Sequence, residues 1–342
     1  MPLNKNIMDK SDNIISWILD NVPLRECTSA EFIYDRMESQ SGKSLPGIYE
    51  SFNAAKSSHF ADRGSILDFQ VSAGPGRILD FGPGDGWPAL GMANADHEVV
   101  GVEGSIGRVK CCTANAKRMG IDNATFIHVP AGEALPFEEE SFDGATASSS
   151  VEQAPEPAAV LQELYRVLRP GGCLRLNWES LETYRGGQET GLWILSNNNG
   201  LADMIVYDRN IDEEYVRQFR LGLKISKAQV MVVFRKHNAE ISFTGLTIHI
   251  LAELVKELND AVLMVTRHPS SGTLLKWLAD AGFSKAQLTC GGGWFASRLF
   301  DRIPQAHRPK NLEAVDAFLR PIVEVVVTMP ALHDTGLVMA TK

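Results

Sequence analysis

Gly82, Gly84 and Gly86 fall at alternate positions directly after the apolar run Arg77-Ile-Leu-Asp-Phe81. A buried strand that opens into glycines bends sharply and brings its backbone close to a ligand, with no Cβ in the way. A helix start beyond it adds free amides and a positive dipole end, which suits negative ligand groups. Glycines after a strand also build plain tight turns. The spacing G-x-G-x-G departs from the G-x-G-x-x-G of nicotinamide dinucleotide sites. Glu103 closes the next apolar run, His97-Glu-Val-Val-Gly-Val. A carboxylate at that strand end accepts the two ribose hydroxyls of a nucleoside in doubly wound folds, whereas an isolated glutamate reads as a solvated loop residue.

The elements that must position these residues alternate. Strands are predicted at 77–81, 97–102, 125–129, 144–147 and 173–177. Helices are predicted at 87–95, 106–119 and 157–168, the second closed by Gly120 and the third stopped by Arg169-Pro170-Gly171-Gly172. Such alternation implies right-handed crossovers and an α/β, doubly wound, mostly parallel sheet of the Rossmann-like kind. Before it, residues 1–75 carry three helical runs. One has Ile14, Ile15, Ile18 and Leu19 on one face, another has Glu31 placed for a capping box on Thr28, and a third begins at Gly47. They are expected to form an N-terminal helical lid or an appended helical substrate subdomain. The alternation lapses over 181–267, an α+β insertion read as a substrate cap or a dimer contact. Within it, 212–219 and 251–258 are predicted helices, and 229–235 with 240–243 a hairpin. The core sheet is expected to resume over 268–342, with a helix at 271–281 closed by Gly282 and strands at 285–289 and 336–341. The core itself is bounded at 76–180.

The chain has 342 residues, 44% of them hydrophobic and 22% charged, enough to bury a core without disulfides or structural metals. Asp plus Glu number 42 against 33 Lys plus Arg, a net charge of −9, which disfavours a nucleic-acid partner because phosphate binding draws on clustered cations. No basic region precedes a long apolar run and no stretch is long enough to span a bilayer, so neither a secretory signal nor a membrane span is expected. Five cysteines without a C-x-x-C pair suit a reducing cytoplasm and make a zinc site improbable. The adjacent Cys111 and Cys112 read as small packing residues.

Taken together, LDFGPGDG, VVGVEGS, GEALPFEEESFD and LQELYRVLRPGGCLRL, in that order and spacing, resemble the class I S-adenosylmethionine-dependent methyltransferases. The resemblance is nearest to the small-molecule branch (methyltransferase type 11) that includes the ubiquinone/menaquinone methyltransferases. It covers about residues 76–180 and the terminal elements, and implies a seven-stranded sheet with S-adenosyl-L-methionine as cofactor. Carried over by position, Gly82, Pro83, Gly84, Asp85 and Gly86 lie under the methionine and ribose portions. Asp80 orients the loop or the amino group, Glu103 with Gly104 holds the ribose diol, and Gly132 and Glu133 border the adenine. The family often has an acidic residue where Ala131 stands, which puts adenine recognition in doubt. Ser148, in the loop after the fourth strand, sits beside the methyl group. Glu152 in that loop is the first candidate for acceptor binding or proton removal, and His59 in the lid is the second. Both have a blander reading, a solvated glutamate and a structural histidine. Tyr34 and Tyr49 are weaker candidates for a ring against the sulfonium.

The resemblance implies methyl transfer by in-line displacement, which needs positioning above all and a base only for a protonated acceptor. The amide- and amino-nitrogen methyltransferases often carry an Asn/Asp-Pro-Pro-aromatic tetrad where Ser148-Ser-Ser-Val stands, which leaves a small-molecule acceptor. Trp193, Tyr207, Phe219 and Phe234 of the insertion are candidates to line its pocket, or else form the insertion's own core or a homodimer contact. Two other readings stay open: a non-catalytic cofactor-binding module and, against the glycine spacing, an oxidoreductase on the same scaffold.

Overall fold

The computed structural model describes residues 5–34, 53, 55–93, 96–332 and 335–342. In chain order, α1 (Lys5–Asn21) and the two-residue β1 (Arg25–Glu26) lead to one π-helical turn, Ala30–Tyr34. Then come α2 (Ser57–Ala73), β2 (Gly76–Phe81), α3 (Ala89–Met92), β3 (His97–Glu103), α4 (Ile106–Met119), β4 (Ala124–His128), β5 (Phe142–Ser148), α5 (Pro157–Val167) and β6 (Leu168–Asn177). The insertion supplies β7 (Thr190–Ser196), β8 (Ala202–Asn210), β9 (Tyr215–Leu223), α6 (Lys227–Lys236), α7 (Ile248–Leu254) and β10 (Leu258–Arg267). The chain closes with α8 (Ser271–Ala281), β11 (Ser284–Leu288), α9 (Gly292–Arg302), α10 (Leu312–Val326) and β12 (Leu337–Thr341). These elements form two compact units, one of residues 33–180 with 269–342, the other of residues up to 32 with 181–268.

The first unit is a seven-stranded sheet in the order β11-β12-β6-β5-β2-β3-β4. β2, β3, β4, β5 and β6 run parallel, and β12 is antiparallel to both β6 and β11. Parallel strands are covered on both faces and so read as nearly continuous apolar runs. Leu79, Val100, Ala145 and Leu174 pack with Leu161, Leu164, Leu274 and Leu278 of α5 and α8. Ile78 and Val99 pack on the other side with Phe69, Leu90 and Ala116. The helix ends follow local chemistry: Ser105 caps α4 by accepting the Arg108 N–H, and Gly120 closes it at φ 67°. Ser270 and Gly282 do the same for α8. Arg169-Pro170-Gly171-Gly172 is not a clean break before a strand. β6 already begins at Leu168, and its pairing with β5 slips between Phe142 and Gly144, so the Pro-Gly-Gly segment is accommodated as a bulge.

α2 corrects the expected 1–75 lid. It packs against α9 and α10 inside the first unit, with Phe60 edge-on to Phe300. A Cβ at Gly64 would sit 2.6 Å from the Gly292 carbonyl, so α2 and α9 meet at backbone contact. Asp68 of α2 takes the fully buried Arg175 guanidinium of β6 at 2.6 and 2.8 Å and accepts the Gly292 N–H at 2.6 Å. A buried ion pair survives desolvation only when its remaining hydrogen-bonding atoms are satisfied in this way.

The second unit is a five-stranded sheet, β1-β10-β9-β8-β7, antiparallel except for β1 beside β10. One face carries Met204, Val206, Phe219, Leu221 and Leu263 against Ile14, Ile15 and Ile18 of α1, Val230 and Phe234 of α6, and Leu251 and Leu254 of α7. Leu19, expected on the buried face of α1, is 43% exposed. Thr28 and Glu31 form the expected reciprocal cap.

Two expectations in the insertion are overturned. The stretch 212–219, expected as a helix, is a turn running into β9, whose Phe219, Leu221 and Leu223 alternate into the core. The expected strand at 229–235 is helix α6. Ser226-Lys-Ala-Gln229 is a capping box, and Val230 and Phe234 lie on one helical face. Its expected partner at 240–243 lies in no strand. Phe219 and Phe234 therefore belong to this unit's core and do not line a pocket.

Candidate cofactor and acceptor site

The register of β2 between β3 and β5 places Asp80 opposite Gly101 on one side and Thr146 on the other. Asp80 is fully buried. Its Oδ1 accepts the Thr146 hydroxyl at 2.9 Å, and its Oδ2 has no hydrogen-bond partner. Burial pushes its pKa up to about 7; bonds from Thr146 and the Ala89 amide oppose the shift, and the nearby Glu103 charge adds to it. An orphaned carboxylate oxygen in the core is costly unless a donor or cation reaches it.

The glycine loop leaves β2 with φ of 72° at Gly82, 63° at Gly84 and 115° at Gly86, a region that L side chains avoid. The loop needs glycine for two different reasons. A Cβ on Gly82 would lie 2.4 Å from the Ser150 Cβ, whereas nothing lies within 4 Å of one on Gly84. Gly82 is thus fixed by protein, and Gly84 borders open space. The loop is held in place by four bonds. The Gly82 N–H donates to the Val102 carbonyl at 2.8 Å, the Gly84 N–H to Glu103 Oε2 at 3.0 Å, Cys112 Sγ to the Gly84 carbonyl at 3.1 Å, and Asn115 Nδ2 to the Asp85 carbonyl at 2.7 Å. Pro83 is buried against Gly101, and burial raises the pKa of Asp85 against the pull of Arg108.

Glu103 closes β3 at 8% exposure, its Oε1 accepting the Ser105 N–H at 3.1 Å. Burial raises its pKa, and the Gly84 and Ser105 amides oppose that rise. An ionised carboxylate offers about four acceptor sites, so two amide bonds leave room for further donors. A Cβ on Gly104 would approach Ala131 at 4.0 Å. Gly132, at φ 90°, borders open space, and Glu133 is exposed, its N–H donating to the Pro130 carbonyl at 3.1 Å.

Ser148 ends β5 opposite Asn177 of β6. Ser149 (φ 50°) donates its N–H to the Asn177 carbonyl at 2.7 Å, and Ser150 donates its hydroxyl to the Phe81 carbonyl at 2.5 Å. Glu152 follows on a 3-10 turn, Val151–Gln153, and is 2% exposed. It is therefore not the solvated glutamate of the bland reading. Its Oε1 accepts the Glu179 N–H at 3.1 Å and its Oε2 has no partner. Burial pushes its pKa up to about 7, two amide bonds oppose the shift, and the Glu179 charge reinforces it. Asp80, Glu103 and Glu152 all lie at the carboxyl ends of parallel strands, where doubly wound folds bind ligands.

His59 lies in the first turn of α2, is buried, and accepts the Asn53 N–H at its Nδ1 at 3.0 Å. α2 belongs to the first unit, so His59 lies on a core helix and not on a lid. Tyr49 and the side chain of Tyr34 lie outside the described residues. Three contributors escaped the sequence reading: Thr146, Ser150 and Asn115. Cys112 packs as expected, but it also clamps the loop. Among the described residues, no three His, Cys, Asp or Glu side chains are arranged to hold a metal ion.

A parallel sheet whose first strand opens into a glycine loop, with buried carboxylates at that strand and at its neighbour's tip, defines a doubly wound nucleoside-cofactor domain. Residues 79–176 match the family model described as a methyltransferase domain, and this segment is a methyltransferase domain of that family. An uncharacterized methyltransferase of Mycobacterium avium is 33% identical over 138 residues, 39% of this chain and 53% of that protein. A demethylmenaquinone methyltransferase of Clavibacter sepedonicus is 36% identical over 96 residues, 28% of this chain and 38% of that one. A tRNA 5-carboxymethoxyuridine methyltransferase of Escherichia coli is 36% identical over 101 residues, 29% and 39% respectively. The chain spans about half the length, or less, of these relatives.

Proposed function

We propose that the chain transfers the methyl group of S-adenosyl-L-methionine to a small-molecule acceptor by in-line displacement. The observation that carries this reading is the cradle itself: open space in front of Gly84, on the loop that follows a buried Asp80 whose Oδ2 has no partner. The donor set suits that cofactor. Asp80 Oδ2 meets the ammonium group, the spare lone pairs of Glu103 take the ribose hydroxyls, and Gly104, Gly132 and Glu133 border the adenine. Pro83, Asp85 and Gly86 shape the loop beneath, and Ser148 lies at the methyl end.

When bound, S-adenosylmethionine supplies an electrophilic methyl group on a positively charged sulfur. The protein's own part is to position the acceptor, which lowers the barrier by several kcal/mol, and to accept a proton where the acceptor carries one. Glu152 fits the second task. A carboxyl with a pKa near 7 is a competent base at neutral pH, and its Oε2 is free to take that proton.

The net charge of −9 favours a metabolite over RNA, although one matched relative is named for a tRNA substrate. The test is to incubate the protein with methyl-labelled cofactor and an extract separated into metabolites, RNA and protein. Label in the metabolite fraction is expected. Label confined to RNA or protein would overturn the acceptor class, and none in any fraction would overturn the activity.

A further inference from the structure

The face of the inserted sheet opposite its core gathers aromatic and cationic side chains that the methyl-transfer reading does not use. Trp193 of β7 and Tyr207 of β8 lie on it, joined by Tyr184 and Arg185 from the turn before β7. The Arg185 guanidinium carbon stands 4.5 Å from the Trp193 ring centre, 5.3 Å from that of Tyr207 and 5.7 Å from that of Tyr184. Arg185 holds this place on a left-handed backbone, φ 48° and ψ 38°, followed by Gly186 at φ 66°. A non-glycine residue keeps that conformation only where its surroundings impose it. Its Nη2 donates to Gln218 Oε1 at 3.3 Å, and Gln218 in turn donates to the Tyr184 hydroxyl at 3.3 Å.

A second guanidinium joins the cluster. Arg209 donates from Nη1 to the Leu181 carbonyl at 2.6 Å, while its Nε is buried with no acceptor. Both arginines act on Tyr207, lowering its phenol pKa against the rise that burial imposes. Among the described residues, neither has a carboxylate within ion-pair distance. On the same sheet Arg217 pairs with Asp208 at 2.7 Å and Arg220 with Asp260 at 2.9 Å. A buried guanidinium N–H without an acceptor, beside a second cation held rigid over rings, is a donor set lacking its anion. Arginine's planar fork suits carboxylate and phosphate above other partners.

We propose that Arg185 and Arg209 of the inserted unit form a binding site for the oxyanion group, carboxylate or phosphate, of a small molecule. The site belongs to this unit alone and does not depend on the methyl-transfer reading.

The test follows the arginine Nε–Hε signals of the nitrogen-labelled full chain while inorganic phosphate and benzoate are added in separate titrations. The Arg209 signal is identified by its loss in Arg209→Lys. A saturable shift of that signal with at least one anion is expected, with affinity about tenfold weaker in Arg185→Gln, the loss of one charge-assisted contact. A shift with phosphate alone identifies a phosphate-bearing ligand, with benzoate alone a carboxylate, and with both a general oxyanion site. Arg185 is exposed, so its substitution leaves the fold and the affinity for S-adenosylhomocysteine unchanged. No saturation with either anion, or equal affinity in wild type and Arg185→Gln, would overturn the proposal.

Discussion

The two sheets of this molecule bury their strands by different rules, and their binding features differ accordingly. In the first unit the parallel strands are covered on both faces, which leaves only the loops at their carboxyl ends for chemistry. The site proposed there is built of backbone and of the space that glycine leaves, with carboxylates at the strand tips. In the second unit an antiparallel sheet gives one face to its core, where Phe219 and Leu221 meet α1, α6 and α7. Its other face carries side chains, where Arg185, Trp193, Tyr207 and Gln218 meet across strands. A site made of backbone tolerates no added atom, and a site made of side chains tolerates changes one at a time.

Substitutions probe that contrast, beginning with the largest expected effect. Phe219→Ala, at a fully buried position of the second unit, is expected to cost about 3–5 kcal/mol of stability by denaturant titration. Its effect on S-adenosylhomocysteine affinity should stay within about twofold, since Phe219 packs in a core that shares no residue with the first unit; a large loss would show that the two sheets are not separable. Gly84→Val reverses the pattern. The left-handed backbone costs about 1–2 kcal/mol of stability, but calorimetry should show affinity falling about a hundredfold or more, close to 3 kcal/mol.

Glu152→Gln sharpens the chemistry at the strand ends. With any acceptor that arrives protonated, kcat/KM should fall about a hundredfold while cofactor affinity holds. The wild-type rate should rise with pH through about 7, because the ionised carboxylate is the active form. Stability should run the opposite way. Asp80 and Glu152 have folded pKa values raised from 3.8 and 4.5 to about 7. Their contribution is complete below the unfolded values and is lost as pH rises through about 7. The ligand-free melting temperature should therefore fall across that window, and less steeply in Glu152→Gln. The smallest effect is expected for Ser226→Ala, which removes the α6 capping box at a cost of about 1 kcal/mol.

The same contrast decides what could be read in advance. Gly82, Gly84, Gly86, Asp80 and Glu103 could be proposed from sequence because a backbone-built cradle compresses its requirements into two short stretches. Thr146, Ser150 and Asn115 were not, because they reach the loop across strands and from a helix whose register no local pattern announces. The second unit was harder still. Glu213-Glu214-Tyr215 opens like an acidic helix start, and only the alternation of Phe219, Leu221 and Leu223 marks the strand. Ser226-x-x-Gln229 carries the helix-start signal of α6, but the valine-rich stretch Val230-Met-Val-Val233 also suits a strand. That residues up to Phe32 belong with 181–268, while α2 belongs with the core, depends on contacts between segments far apart in sequence.

Titration calorimetry of the wild-type chain with S-adenosylhomocysteine, with NAD+ as the control, tests the cradle most directly. Saturable binding of one nucleoside per chain, with no heat from NAD+, is the predicted result. Silence from the nucleoside, or binding that NAD+ displaces, would contradict the assignment of the glycine loop and of Asp80 and Glu103 beside it.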